Sequence, residues 1–297
     1  MASDRWRRAA LVAVGFIATV SVSTAYAREI IEQSIQVPIN DLAGHRRVMA
    51  GRICRPAGIE RPKLVVMNHG STTLAADRPY LPIASCENEA VRWFTDRHYA
   101  VVQVWRLGYG ASNGPWTEGF AQCSVTDYYK AGLETARQIS AIVEYAVSLP
   151  AVDPNDVIVV GHSGGGWGAI AYDSSPHAHV AAVINMAGGR GGHYHGKANS
   201  NCGADQLVEA VRLFARNSSI PMLWIYADND SYFGPQLASK MATAYVSAGG
   251  KLQLYATASY GADGHAMFFD EGGSRIWGPL VQKYLNGISG SATIPER

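Results

Sequence analysis

The chain has 297 residues, 47% of them hydrophobic and 16% charged. That is enough apolar material for a large core, which excludes a disordered chain, and four cysteines are too few for a small disulfide-stapled scaffold. Twenty-five basic residues against 24 acidic ones leave no positive excess to neutralise phosphates, which excludes a dedicated nucleic-acid binder.

The chain opens on Arg5, Arg7 and Arg8, followed by an apolar run over residues 9–22 and then Ala25-Tyr26-Ala27. A basic start, an apolar stretch shorter than the roughly 20 residues of a membrane span and a small-x-small site form the pattern of a cleavable signal peptide ending at Ala27. The expectation is therefore a periplasmic or secreted protein in which residues 28–297 make one domain. No second apolar run is long enough to cross a bilayer.

Residues 30–39 and 45–54 are predicted strands, joined as a hairpin around Asn40, Asp41 and Gly44. Lys63–Asn68 is a short apolar strand, 87–97 is helical in character and 100–105 is the next strand. A long helix is predicted over 124–149, with Ser124 and Asp127 as a capping box and Ile139, Ile142, Val143 and Ala146 as its buried stripe. Asp153-Pro154 reads as a turn before the wholly apolar strand 157–160. Further strands are predicted at 180–186, 222–226 and 251–255, and further helices at 167–172, 206–215, 235–248 and 274–286. Strands apolar on both faces, alternating with helices, predict an α/β fold: a doubly wound, mostly parallel eight-stranded sheet with antiparallel N-terminal strands. Three segments rich in glycine, 108–119, 188–203 and 260–273, should be loops beyond strand ends, where such folds place their sites.

Export changes how the cysteines read. Cys54, Cys86, Cys123 and Cys202 are even in number and bound for an oxidising compartment, so two disulfides are expected. Four cysteines allow three pairings. The arrangement favoured is Cys123–Cys202 with Cys54–Cys86, because Cys123 and Cys202 both fall in long loops after strands of the same sheet edge.

Gly161-His162-Ser163-Gly164-Gly165 matches G-x-S-x-G, with a strand before it and a helix after it. That context marks a nucleophile elbow, a strand-to-helix turn too tight for side chains at its flanks, with Ser163 exposed at the sheet edge. A serine hydroxyl needs a base, and the base needs an orienting acid. In this architecture the order is Ser, then Asp or Glu, then His. Asp228 and Asp230 follow the strand at 222–226, and His265 is the one histidine beyond them. Asp230, farther from the strand end, is favoured over Asp228. A tetrahedral intermediate needs two N–H donors. Gly164, directly after the nucleophile, offers one. The other is assigned to the amide of Ser71, in the Asn68-His69-Gly70-Ser71 turn after Lys63–Asn68.

KLVVMNHGS, VDPNDVIVVGHSGGGWG, PMLWIYADNDSYFG and DGHAMF resemble the landmarks of the α/β-hydrolase superfamily, and within it the dienelactone-hydrolase-like and prolyl-oligopeptidase-like branch. The likeness runs from Lys63 to the C-terminus. It implies the α/β-hydrolase fold, a triad of Ser163, Asp230 and His265, and an oxyanion hole of Ser71 and Gly164. Dienelactone hydrolases proper carry a cysteine nucleophile. Ser163 at that position directs the reading to a serine carboxylic-ester hydrolase acting on a small-molecule ester, without metal or organic cofactor. An amide or peptide hydrolase of the same fold and a catalytically inactive binding protein are the alternatives. Tyr109, Trp116, Trp167, Tyr232 and Phe233 are candidates to wall an aromatic pocket. The segment 106–110 should line the site rim, and the resemblance implies a structural turn there with Arg106 anchoring loops by hydrogen bonds; His69 reads as structural, and His193 and His195 lie in a flexible loop over the pocket rather than in a zinc site. His177 and His179 read as exposed near a helix end.

Overall fold

The computed structural model describes residues 29–72, 74–175 and 178–291; the predicted signal peptide and His177 lie outside them. Eight strands occur in chain order: β1 Ile30–Asn40, β2 Arg46–Pro56, β3 Lys63–Asn68, β4 Tyr99–Val104, β5 Asp153–His162, β6 Val180–Met186, β7 Met222–Ala227 and β8 Leu252–Thr257. They form one sheet in the order β1-β2-β4-β3-β5-β6-β7-β8. β2 runs antiparallel to both β1 and β4, and the remaining neighbours are parallel. The β1–β2 hairpin closes on Asp41, whose carboxylate accepts the N–H groups of Ala43 and His45 and the Arg47 guanidinium.

Among the described residues six α-helices connect and cover the sheet: α1 Glu89–Thr95, α2 Tyr128–Val147, α3 Gly164–Tyr172, α4 Ala204–Ala215, α5 Pro235–Ser247 and α6 Ser274–Ser291. Because side chains alternate along a strand, successive residues feed opposite layers. Val66, Val102, Val159 and Trp224 join one buried cluster with Ile139 and Ile142 of α2 and Ala169 and Ile170 of α3. Val65, Val101, Val160 and Ile225 join the other, with Phe94 of α1 and Trp277 and Val281 of α6. Each such side chain contributes about 1.5–3 kcal/mol on burial, so continuous apolar runs are the sequence signature of strands covered on both faces.

Two local expectations are corrected. The α2 cap is Asp127, whose carboxylate accepts the Lys130 N–H at 2.8 Å; Ser124 lies in a separate 3₁₀ turn, Cys123–Val125. Cys123 in that turn is tied to Cys202, which holds the segment away from the α2 axis. Asp153-Pro154 does not turn ahead of β5. Asp153 already pairs with Lys63 of β3, and the irregularity falls inside the strand, with Asp156 at a φ of 53° and its carboxylate 2.9 Å from Lys63 Nζ. The disulfides are Cys54–Cys86 and Cys123–Cys202. Among the described residues no helix is long and apolar enough to cross a membrane.

Candidate active site

Ser163 stands between β5 and α3 with φ 53° and ψ −119°. A non-glycine residue rarely holds that conformation, which costs about 1–3 kcal/mol and must be enforced by its surroundings. The enforcement is visible. The Ser163 N–H donates to Met186 O of β6 at 3.0 Å, and its carbonyl starts α3 by accepting from Trp167 N at 2.9 Å. The turn is too close for side chains nearby: a Cβ on Gly161 would lie 2.7 Å from Gly166 N, and one on Gly165 2.6 Å from Asn68 O. The strain thus aims one hydroxyl outward from the C-terminal edge of the sheet.

That hydroxyl meets a histidine 102 residues farther on. His265 Nε2 is 2.9 Å from Ser163 Oγ, and His265 Nδ1 is 3.1 and 3.2 Å from the two carboxylate oxygens of Asp230. Asp230 is 1% exposed, and its Oδ1 also accepts the N–H groups of Tyr232 and Phe233 at 2.8 and 2.9 Å. A buried carboxylate with these donors fixes Nδ1 as the protonated nitrogen, leaving Nε2 to accept a proton from the hydroxyl. Asp228 is exposed on the other side of the turn and does not reach His265. The His265 loop has its own support. Asp263 accepts the His265 N–H at 3.0 Å, and Ser231 donates to Asp263 through both its N–H and its hydroxyl. Burial pushes the Asp263 carboxyl up, but the hydrogen bonds from Ser231 and His265 outweigh it and leave its pKa below the ordinary value. His162 Nε2 donates to the His265 carbonyl at 2.7 Å. Burial, and then the neighbouring His265, push His162 down to about 3, so it stays neutral. Tyr232 stacks on the His265 ring with centroids 4.3 Å apart, and His193 stacks on Tyr232 at 3.7 Å.

The turn after β3 lies against the elbow. A Cβ on Gly70 would be 3.3 Å from Ser163 Cβ, and a Cβ on Gly164 would be 2.7 Å from Ser71 Cβ. Gly164 and Ser71 are therefore adjacent, at the side of Ser163 where α3 begins. The turn is held from beneath. His69 Nδ1 donates to Gly70 O at 2.7 Å while its Nε2 accepts the Arg106 N–H at 3.0 Å. The Arg106 guanidinium donates to His69 O at 2.8 Å and Gly70 O at 3.0 Å, and pairs with Glu118. Arg106 anchors these loops by hydrogen bonds as expected, but from beneath the rim. It is fully buried under it, with its planar fork spent on two carbonyls and one carboxylate. Burial and the adjacent Arg106 hold His69 well below its ordinary pKa, so it is a neutral strut.

A cavity of about 460 Å³ opens over Ser163 and His265. Its walls include Leu81, Pro82, Ile83, Ala84, Phe269 and, of the five predicted aromatics, Tyr232 alone. Trp167 is in the core, where it meets Phe214 at 5.4 Å. Tyr109 is buried, with its hydroxyl on Glu118. Trp116 donates to the Tyr109 hydroxyl and carries the Arg78 guanidinium on its face, away from the cavity. Phe233 is buried behind His265. The 81–84 wall lay in a stretch without periodicity or charge, which gave the sequence no signal beyond its apolar residues. The 188–203 loop is not free either. Arg190 is buried on Glu118, Gly192 bridges Asn201, Cys202 is in a disulfide, and His193 Nε2 donates to Ser231 Oγ at 2.6 Å. His179 is exposed. Among the described residues no three His, Cys, Asp or Glu side chains gather as metal ligands.

No family model and no curated protein matches the sequence. Solved structures do match in three dimensions. Esterase Pf2001 of Pyrococcus furiosus superposes with a TM-score of 0.57 at 15% identity, over 84% of this chain and 92% of that one. Est1E from Butyrivibrio proteoclasticus gives 0.54 at 15% identity, over 86% and 99%. An acylaminoacyl peptidase from Pyrococcus horikoshii gives 0.57 at 15% identity, over 85% of this chain but 40% of its own. At such identities the likeness is one of fold, and the fold is that of the α/β hydrolases.

Proposed function

We propose that this chain is an exported serine hydrolase that cleaves carboxylic esters through an acyl-enzyme on Ser163. The observation that carries the reading is the continuous line of hydroxyl, imidazole and carboxylate, with separations of 2.9 and 3.1 Å. His265 Nε2 takes the Ser163 proton as the oxygen attacks the ester carbonyl. The amides of Gly164 and Ser71 receive the developing oxyanion. The imidazolium then protonates the leaving alcohol. Water, activated by the same nitrogen, releases the acid, while Asp230 holds the tautomer and stabilises the imidazolium. The apolar walls at Leu81, Pro82, Ile83 and Phe269 suit the acyl group.

Ester hydrolysis is preferred to amide hydrolysis because the two esterases are matched over nearly their whole lengths, whereas the peptidase has more than half of its chain outside the match. Export is supported by the basic-apolar-small pattern of residues 1–27 and agrees with two disulfides. The test is a fluorophosphonate probe together with turnover of p-nitrophenyl acetate and an aminoacyl anilide. Labelling at Ser163, faster ester turnover and a loss of several orders of magnitude in Ser163→Ala are expected. Ester turnover that survives in Ser163→Ala would sink the proposal.

A further inference from the structure

Behind the Gly164–Ser71 corner lies a group of charges that the reaction scheme above does not use. Glu118 is fully buried and shared by two guanidiniums, those of Arg106 and Arg190. Arg190 is 3% exposed; one terminal nitrogen donates to Glu118 Oε2 at 2.6 Å and to Thr135 Oγ1 at 3.0 Å. Its Nε is buried without any partner. Burial would raise the Glu118 pKa, yet Arg106 and Arg190 hold it at about 2, so the carboxylate is charged. Two cations and one anion leave a net charge of +1 in the interior, where an uncompensated charge is costly unless something answers it. The neighbouring Tyr109 hydroxyl and His69 ring are both neutral, because burial raises the pKa of the first and lowers that of the second.

The place of that charge is informative. Arg190 Cζ is 3.2 Å from where a Cβ on Gly164 would stand, and Ser71 lies against the same point. The surplus cation thus sits directly behind the two residues whose amides face the reacting carbonyl in the proposed scheme. We propose that Arg190 is an electrostatic positioning residue whose unneutralised charge, left over by Glu118, is answered only when the substrate carbonyl becomes an oxyanion. It does not touch the substrate. Through a low-dielectric gap it favours the tetrahedral anion over the neutral ester, which is the differential that lowers a barrier. Arg106 contributes differently, because its guanidinium is spent on Glu118 and on the carbonyls of His69 and Gly70.

The inference rests on the proposed ester hydrolysis. Its test compares KM for p-nitrophenyl butyrate with Ki for butylboronic acid, which forms an anionic tetrahedral adduct on the serine. The ratio KM/Ki reports preference for the anion and cancels any loss of folded protein. Arg190→Met should lower the ratio about 10- to 100-fold, the size of one charge acting across several ångströms of protein. Arg190→Lys keeps the charge but not the fork, and should hold the ratio within about threefold. Glu118→Gln, which leaves both cations unanswered, should raise it. A merely structural role for Arg190 predicts an unchanged ratio in all folded variants, and that result overturns the inference. So does a Lys variant as low as the Met variant. If Arg190→Met fails to fold, the Lys and Gln variants carry the opposite-direction test. Should wild-type protein neither turn over the ester nor bind the boronate, the hydrolase reading fails first and takes this one with it.

Discussion

Asp230 and Asp228 are two residues apart, carry the same side chain and leave the same strand end, yet they occupy different worlds. The Asp230 N–H bonds back to Ala227 O, a tight turn that swings its carboxylate under the loop, where three donors converge on it. Asp228 stays in solvent, with only its backbone N–H engaged, on Thr257 O. Sequence distance from the strand favours Asp230 but says nothing of the turn that makes the difference. Replacing Asp230 by Asn puts an amide donor where His265 Nδ1–H now points. The ring answers by protonating Nε2, which then cannot accept the Ser163 proton. In the proposed reaction Asp230→Asn therefore lowers kcat on p-nitrophenyl acetate about 10³- to 10⁴-fold. Asp228→Asn, a change in solvent, leaves kcat/KM within about twofold. Steady-state kinetics on the pair decides; equal losses would remove Asp230 from its role.

At the scale of elements, what was legible was what one physical rule controls. Runs of β-branched residues announced the strands, because a strand covered on both faces tolerates little else. Glycine at 161 and 165 announced the elbow, because no side chain fits there. The five predicted aromatics were illegible as a group: burial in the core or display in the cavity depends on packing between distant elements, and of the five only Tyr232 reaches the cavity. Arg190 was hidden by its four flanking glycines, since a Gly-rich stretch reads as mobile while its partner Glu118 lies 72 residues away. The disulfides fasten these same irregular parts. Cys54–Cys86 joins β2 to the segment just after the 81–84 wall, and Cys123–Cys202 fastens the end of the 188–203 loop. Each closes a long stretch of chain, a span of 32 residues in one case and 79 in the other, and is worth about 4 kcal/mol in the chain-entropy account. They differ in access. Cys54 and Cys86 are both in the core, whereas Cys123 is half-buried beside its loop. Under dithiothreitol at neutral pH, trapping with iodoacetamide and mass mapping should find Cys123 and Cys202 alkylated well before Cys54 and Cys86, because thiolate attack needs an approach path. Simultaneous reduction, or the reverse order, would contradict this packing.

The molecule as a whole stores acid sensitivity in its buried imidazoles. His69 and His162 both have folded pKa values lowered by burial first, and then by Arg106 and His265 respectively; for His162 the value is about 3 against an ordinary 6.5. A depressed histidine binds its proton more readily once unfolded. Its contribution to stability is thus complete above pH 6.5 and is lost as pH falls toward the folded value. Glu118 acts in the same sense but lower, between its ordinary 4.5 and about 2. Asp173, raised by burial above its ordinary value, acts in the opposite sense. The two histidines therefore lose their contribution at a higher pH than Glu118 does. For His162 the loss is about 2 kcal/mol between pH 6.5 and 5, from a slope near 1.4 kcal/mol per pH unit for one proton, and His69 adds to it in the same sense. Urea unfolding with both disulfides intact should show this decline over that interval, and His162→Phe should make it shallower, since that titrating ring is then gone. A free energy of unfolding that stays flat from pH 6.5 to 5 would mean that the rings can be protonated in place, and that the interior around His69 and His162 is far wetter than its packing implies.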